Sequence, residues 1–166
     1  MLDWTDILQR LGAATLAGGL IGLNRDLLGK PVGLKTLGVV GLATATVVLL
    51  ATASGDPETI STATSRIIQG ILTGIGFLGA GVIIRTPHGS NVHGLTSAAC
   101  TWLAACVGIA CGLGQWRIFL VALAIAFVLL IVGRRIERWL HRMLGGKSDP
   151  DHASPAPASP GDTTPH

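Results

Sequence analysis

Residues 67–84 read Ile-Ile-Gln-Gly-Ile-Leu-Thr-Gly-Ile-Gly-Phe-Leu-Gly-Ala-Gly-Val-Ile-Ile, with no charged side chain anywhere in the run. An uncharged apolar stretch of this length is long enough to cross a bilayer as a helix. Gly70, Gly74, Gly76, Gly79 and Gly81 would each cost a helix in water about 1 kcal/mol relative to alanine. In lipid such residues let a neighbouring backbone come close. The run therefore predicts a membrane helix packed at the centre of a bundle. Two other readings stay open: a helix that unwinds locally and offers carbonyls to an ion or substrate, and an interface to a second protein. A phosphate loop is excluded. Gly76-Phe-Leu-Gly-Ala-Gly81 lacks the Lys-Ser/Thr ending of one loop type and the preceding strand of the other.

Outward from this run, four more apolar segments appear, at about 4–23, 34–54, 95–114 and 117–133, with the central one at 67–84. The first is the most polar, since it holds Asp6, Gln9 and Arg10, and Arg10 is expected to reach outward to the interface. Prolines mark the boundaries. Pro31, Pro57 and Pro87 fall between segments and the remaining prolines fall after residue 145, where none removes a helix hydrogen bond. Charged residues make up 13% of the 166, against about 25% for soluble domains. That shortage excludes a soluble enzyme, and three cysteines exclude a disulfide-rich module. The 23 glycines are about twice the usual share of roughly 7%. The fold class expected is an all-α integral membrane protein, a bundle of five transmembrane helices. Residues 1–144 form the membrane domain. Residues 145–166, rich in Ser, Pro, Asp and Thr, form a disordered cytoplasmic tail with too little apolar area to order it.

Basic residues collect at helix ends, not along an aromatic-studded face, so no nucleic-acid partner is expected. Nine of the twelve lysines and arginines lie at one set of ends, and Arg10, Arg66 and Arg117 lie at the other. The positive-inside rule places the N-terminus outside and the C-terminus in the cytoplasm. Trp116 and Trp139 bracket the fifth segment, 23 residues apart, or about 35 Å of helix, so both rings reach the interfacial belts. The first segment reads as a retained helix and not a cleaved leader, because Asp3 and Asp6 stand where a leader is basic.

The side chains give no catalytic signature. No nucleophile–base pair assembles from spacing, and Thr15, Thr44, Thr46, Thr73 and Thr101 are expected to bond back to their own helices or a neighbour. No enzyme activity, cofactor or metal site is assigned. Outside the tail the carboxylates are Asp3, Asp6, Asp26, Asp56, Glu58 and Glu137, none midway through a span. An ion path normally carries an intramembrane ionisable group, and Mg²⁺ asks for octahedral oxygen ligands. Asp56 and Glu58 read as a solvated loop pair. Cys100 and Cys111 share a helix face about 16 Å apart, too far to hold one ion, and with Cys106 they read as packing residues. His88, His93 and His141 read as polar surface groups.

Gly18-Gly-Leu-Ile-Gly-Leu-Asn-Arg-Asp26, Lys30-Pro-Val-Gly-Leu-Lys-Thr36, Gly74-Ile-Gly-Phe-Leu-Gly-Ala-Gly-Val-Ile-Ile-Arg85 and Val92-His-Gly-Leu-Thr-Ser-Ala-Ala-Cys-Thr-Trp102 occur in order. Together they resemble the MgtC/SapB family. The resemblance implies a bacterial inner-membrane protein with a five-helix hydrophobic domain, linked to magnesium homeostasis and growth at low magnesium and, in pathogens, to virulence through survival in macrophages. It implies a regulator of other membrane proteins, ATP synthase among them. The alternative is a Mg²⁺ transporter or channel. Two departures stand out: Asn24-Arg25-Asp26 replaces the family's Glu-Arg-Glu, and the tail is short, as expected of a SapB-like form without the folded C-terminal domain.

Three Gly-x-x-x-Gly pairs, Gly18/Gly22, Gly70/Gly74 and Gly108/Gly112, suggest helix packing and a homodimer. Arg25, Asp26, Lys35, Thr36, Arg85 and Thr96 fall at the ends assigned to the cytoplasm and form the candidate functional cluster. In one reading the cations anchor helix ends to anionic lipid. In the other, Asp26 pairs with Arg85 or Arg25 and Thr36 completes a hydrogen-bonded site. The two readings diverge for Arg85→Lys. Anchoring needs only a point charge and predicts normal growth at low magnesium, whereas a bidentate pair needs the planar fork and predicts loss of growth at equal membrane levels.

Overall fold

The computed structural model describes residues 3–53, 57–85 and 92–144. The expected tail at 145–166 lies outside the described residues. Five helices follow in order: α1 (Trp4–Asp26), α2 (Leu34–Thr52), α3 (Pro57–Val82), α4 (Leu95–Gly112) and α5 (Trp116–Leu144). A two-stranded antiparallel ribbon, β1 (Ile84–Arg85) with β2 (Val92–His93), links α3 to α4.

Local chemistry explains the ends. Asp3 caps α1, its carboxylate accepting from the Trp4 N–H at 2.9 Å. α3 begins on Pro57, earlier than the apolar run at 67, because proline is pre-set for the first helical position. The Ser/Thr-rich turns that follow are helix outside the apolar stretch, and there Ser65 returns its hydroxyl to the Ser61 carbonyl. α4 closes with Gly114 at φ +69°, its N–H on the Cys111 carbonyl and that of Gln115 on Ala110, a left-handed stop that glycine adopts without strain. α5 continues past Gly133 to Leu144, carrying its basic extension and Trp139 on the same helix as Trp116.

Four helices, α2 to α5, are long and apolar enough to cross a membrane. α1 is long enough but carries Asp6, Arg10, Arg25 and Asp26. α1, α2 and α4 form the packed centre, with 56% of the α4 span buried against 11% for each of α3 and α5. The fifth helix is peripheral, as expected. The expectation of a central third helix is overturned, and the glycines show why. Among the described residues, a Cβ at Gly70, Gly74, Gly76 or Gly81 would meet nothing within 4 Å, and of the glycines in that helix Gly79 alone faces a neighbour, Ala98. Gly70, Gly74, Phe77 and Gly81 repeat at helical spacing along one outer face, and Phe77 is 82% exposed. Ile75, on the opposite face, is buried in the core.

The close backbone approaches lie elsewhere. Added Cβ atoms would strike the Leu37 carbonyl from Gly18, the Gly33 carbonyl from Gly22 at 2.5 Å, the Ala14 carbonyl from Gly41 at 2.5 Å and the Gly41 carbonyl from Gly108 at 2.6 Å. Gly112 fits against Val48 and the Ala45 carbonyl. Two of the three Gly-x-x-x-Gly pairs are therefore consumed inside the chain. Ile21, Leu37, Val40, Ile75, Cys100, Ala104 and Ala105 form one apolar cluster. Ala14, Ala17, Ala45, Val107, Cys111 and Phe119 form the other. Cys100 and Cys111 thus serve as packing residues. Thr15, Thr44, Thr46, Thr73 and Thr101 bond back to their own helices, to the Leu11, Val40, Leu42, Gln69 and Ser97 carbonyls.

This arrangement predicts opposite outcomes for the same substitution at different glycines. Gly108→Ala or Gly18→Ala forces α4 or α1 away from α2 and destabilises the purified protein by about 1–3 kcal/mol. Gly74→Ala gains helix propensity at no steric cost and leaves the melting temperature unchanged or higher. Thermal unfolding in mild detergent measures both.

Candidate functional site

The C-terminal turn of α1 carries Asn24, Arg25 and Asp26 into contact with the first turns of α2 and α4. Asp26 turns toward α2. Its Oδ2 accepts from the Leu34 N–H at 2.8 Å, and its carboxylate lies where a Gly33 side chain would otherwise stand. Gly33, the residue before α2, offers no side-chain cap, so the carboxylate of the preceding helix fills that role at the positive end of α2. The turn is tight enough that Val32 adopts φ +67°, a strained conformation for a β-branched residue, while packing against the core.

Arg25 turns the other way. It is 5% exposed, and its Nη2 donates to Ser97 Oγ at 2.5 Å. Its Nε is buried without an acceptor, and the neighbouring Asn24 Oδ1 is buried without a donor. Ser97 is fully buried in the first turn of α4, a partner that sequence reasoning missed. A serine three residues into an apolar run reads as a cap or packing residue until the register of α1 against α4 is known.

Of the sequence-derived cluster, the structure brings Asp26, Lys35 and Thr36 to one open groove of about 380 Å³, shared with Gly33 and Leu34. Thr96 is exposed at the second position of α4. Asp26 takes the α2 backbone as its partner, and Arg25 takes Ser97. Arg85 has its backbone in β1, but its side chain and that of His93 lie outside the described residues, as does His88. A larger groove of about 540 Å³ lies along Glu58, Thr59, Thr62, Ala63, Arg66 and Ile67, at the start of α3 and away from the cluster. Among the described residues no three His, Cys, Asp or Glu side chains gather as metal ligands.

Arg10 finds its partners toward the N-terminal end of α1. It pairs with Asp6 at 3.0 Å, donates from Nη1 to the Gly112 carbonyl at 2.9 Å, and lays its guanidinium against Gly114. A cation at the negative end of α4 is favourably placed.

A family model described as the MgtC family matches residues 11–139. Protein SrpB of Synechococcus elongatus is 37% identical over 150 residues, covering 84% of this chain and 82% of its own length. Protein SapB of Bacillus subtilis is 38% identical over 152 residues, covering 87% of this chain and 63% of its own length. Protein MgtC of Salmonella typhimurium is 38% identical over 143 residues, covering 86% and 58%. The chain spans about three-fifths of the length of the SapB and MgtC relatives. No solved structure matches it.

The Asp26 cap is testable by non-additivity. Asp26→Ala removes the acceptor and costs about 1 kcal/mol. Gly33→Ala displaces the same carboxylate. Since both break one contact, the double variant melts close to the worse single variant and not at the sum of the two.

Proposed function

Because the chain belongs to the MgtC family, we propose that it is a non-enzymatic regulator of another membrane protein, acting in the bacterial inner membrane during adaptation to low magnesium. The observation that carries this reading is the outer face of α3. Gly70, Gly74 and Gly81 lie along one stripe with Phe77, and among the described residues nothing packs on the three glycines. Glycines are unfavourable in a helix unless a neighbour uses the backbone they uncover. A second membrane helix is the neighbour that fits. The family resemblance names ATP synthase as one such partner and extends the role to intramacrophage survival in pathogens. We place any homodimer on the same stripe, because Gly18/Gly22 and Gly108/Gly112 are already filled from within. The charge distribution orients the bundle with the N-terminus outside and the C-terminus in the cytoplasm.

Site-specific photocrosslinking separates this from a Mg²⁺ transporter or channel. A photoreactive residue at Phe77 is expected to capture a membrane protein in cells grown at low magnesium. The same probe at Leu129, an exposed position of α5, captures none, and Gly70→Leu with Gly74→Leu abolishes capture. Saturable Mg²⁺ flux from the purified protein in liposomes, with no capture at Phe77, overturns the regulator reading.

A further inference from the structure

At one end of the bundle, two helices begin beside the last turn of α1, and α1 treats them oppositely. α2 receives the carboxylate of Asp26, which is the stabilising sign for a helix N-terminus. α4 receives the guanidinium of Arg25, the unfavourable sign. Gly94, which precedes α4, supplies no side-chain cap, and the amides of Leu95, Thr96 and Ser97 start a helix whose first internal bond runs from Ala98 to the Gly94 carbonyl.

Among the described side chains no carboxylate offsets this charge; that of Glu137 in α5 lies outside the described residues. Asp26 is committed to α2, Asp3 and Asp6 lie at the far end of α1, and Glu58 lies at the far end of α3. The connection from 83 to 94 adds Arg85, His88 and His93 and no acidic residue. The α1 carbonyls of Leu23, Arg25 and Asp26 already accept from Leu27, Leu28, Gly29 and Lys30. Arg25 is 95% buried with Nε unpaired. A buried charge without a counter-charge is strongly unfavourable, and here it is aimed at an uncapped helix start.

We propose that Arg25 and the first turn of α4 form a seat for a phosphate group, either inorganic phosphate or the headgroup of an anionic lipid. Phosphate is the chemistry that fits, because it only accepts hydrogen bonds and spreads several oxygens in three dimensions. It can serve the guanidinium edge, the Ser97 hydroxyl and the amides of the α4 first turn together. A carboxylate offers two oxygens in one plane. The seat does not depend on which membrane protein the chain regulates.

The test uses the full chain in phosphatidylcholine nanodiscs at constant ionic strength. Melting temperature is followed as phosphate replaces chloride, and separately as phosphatidylglycerol replaces part of the lipid. Ligand binding to the folded state raises the melting temperature. A rise with phosphate identifies the free ion, and a rise with phosphatidylglycerol alone identifies the headgroup. Arg25→Lys keeps the charge but loses the fork, and is expected to need about tenfold more ligand for the same shift. Ser97→Ala, which leaves the guanidinium in place, also weakens the response and carries the test if the Arg25 variant does not fold. Arg117→Gln, at the other end, responds as wild type. A seat filled by water shows no shift with either ligand and overturns the proposal. So does an Arg25→Lys response at wild-type concentrations.

Discussion

Direct backbone contact among α1, α2 and α4 is the constraint on which the rest of this molecule depends. Gly18 and Gly22 put α1 against the Leu37 and Gly33 carbonyls, Gly41 returns α2 to Ala14, and Gly108 presses α4 onto Gly41. Helices in lipid lack the hydrophobic drive that water supplies and hold together through dispersion contacts at short range. Small residues provide that range, and Ala14, Ala17, Ala45, Ala104 and Ala105 complete the contact surface. The polar end of the bundle follows from it. With α1 and α2 pinned at Gly22 and Gly33, residues 27–33 must turn tightly, and Asp26 arrives at the start of α2.

Much of this was readable in the sequence, and the part that was not has a clear physical origin. The number of helices follows from the length of the predominantly apolar runs, a property local to each segment. Helix ends were readable only where an apolar run and a helix coincide. At α3 they do not, since Pro57 starts a helix whose first turns are polar. The position of each helix in the bundle was harder, because a glycine reports only that a close approach is allowed. Gly76 and Gly108 look alike in the sequence. One meets nothing, and the other meets the Gly41 backbone and the Thr44 hydroxyl. The helical phase offered some help: Ile75 and Gly79 lie opposite Gly70, Gly74, Phe77 and Gly81, so the five glycines of α3 could never share one neighbour. α5 was simpler, being apolar on all sides.

The candidate site was readable as a set of positions and not as a set of partners. Charge clustering found Arg25, Asp26, Lys35 and Thr36. Chemical intuition paired the carboxylate with an arginine. The structure instead gives each group a helix start: Asp26 has the Leu34 N–H and Arg25 has Ser97. Opposite charges next to each other in sequence point to different sides of a helix, about 100° apart, so adjacency works against their pairing.

The two arginines of α1 make the meaning of that geometry plain. Arg10 reaches the Gly112 carbonyl and Arg25 reaches Ser97, so equal steps along α1 and α4, taken in opposite directions, connect both pairs. They mark one antiparallel register, with clasps about 22 Å apart. Chemically the clasps are opposites. Arg10 has a carboxylate partner in Asp6 and sits at the negative end of α4. It is complete in itself and works as a structural lock. Arg25 sits at the positive end, buried, with an open Nε and an unsatisfied Asn24 oxygen beside it. If both arginines served only to fix register, the second would be the worse design, because a neutral donor at position 25 would hold Ser97 without burying a charge. The retained guanidinium therefore separates the two ends of the helix pair. One end closes the fold, and the other holds an electrostatic demand that the described part of the chain does not meet.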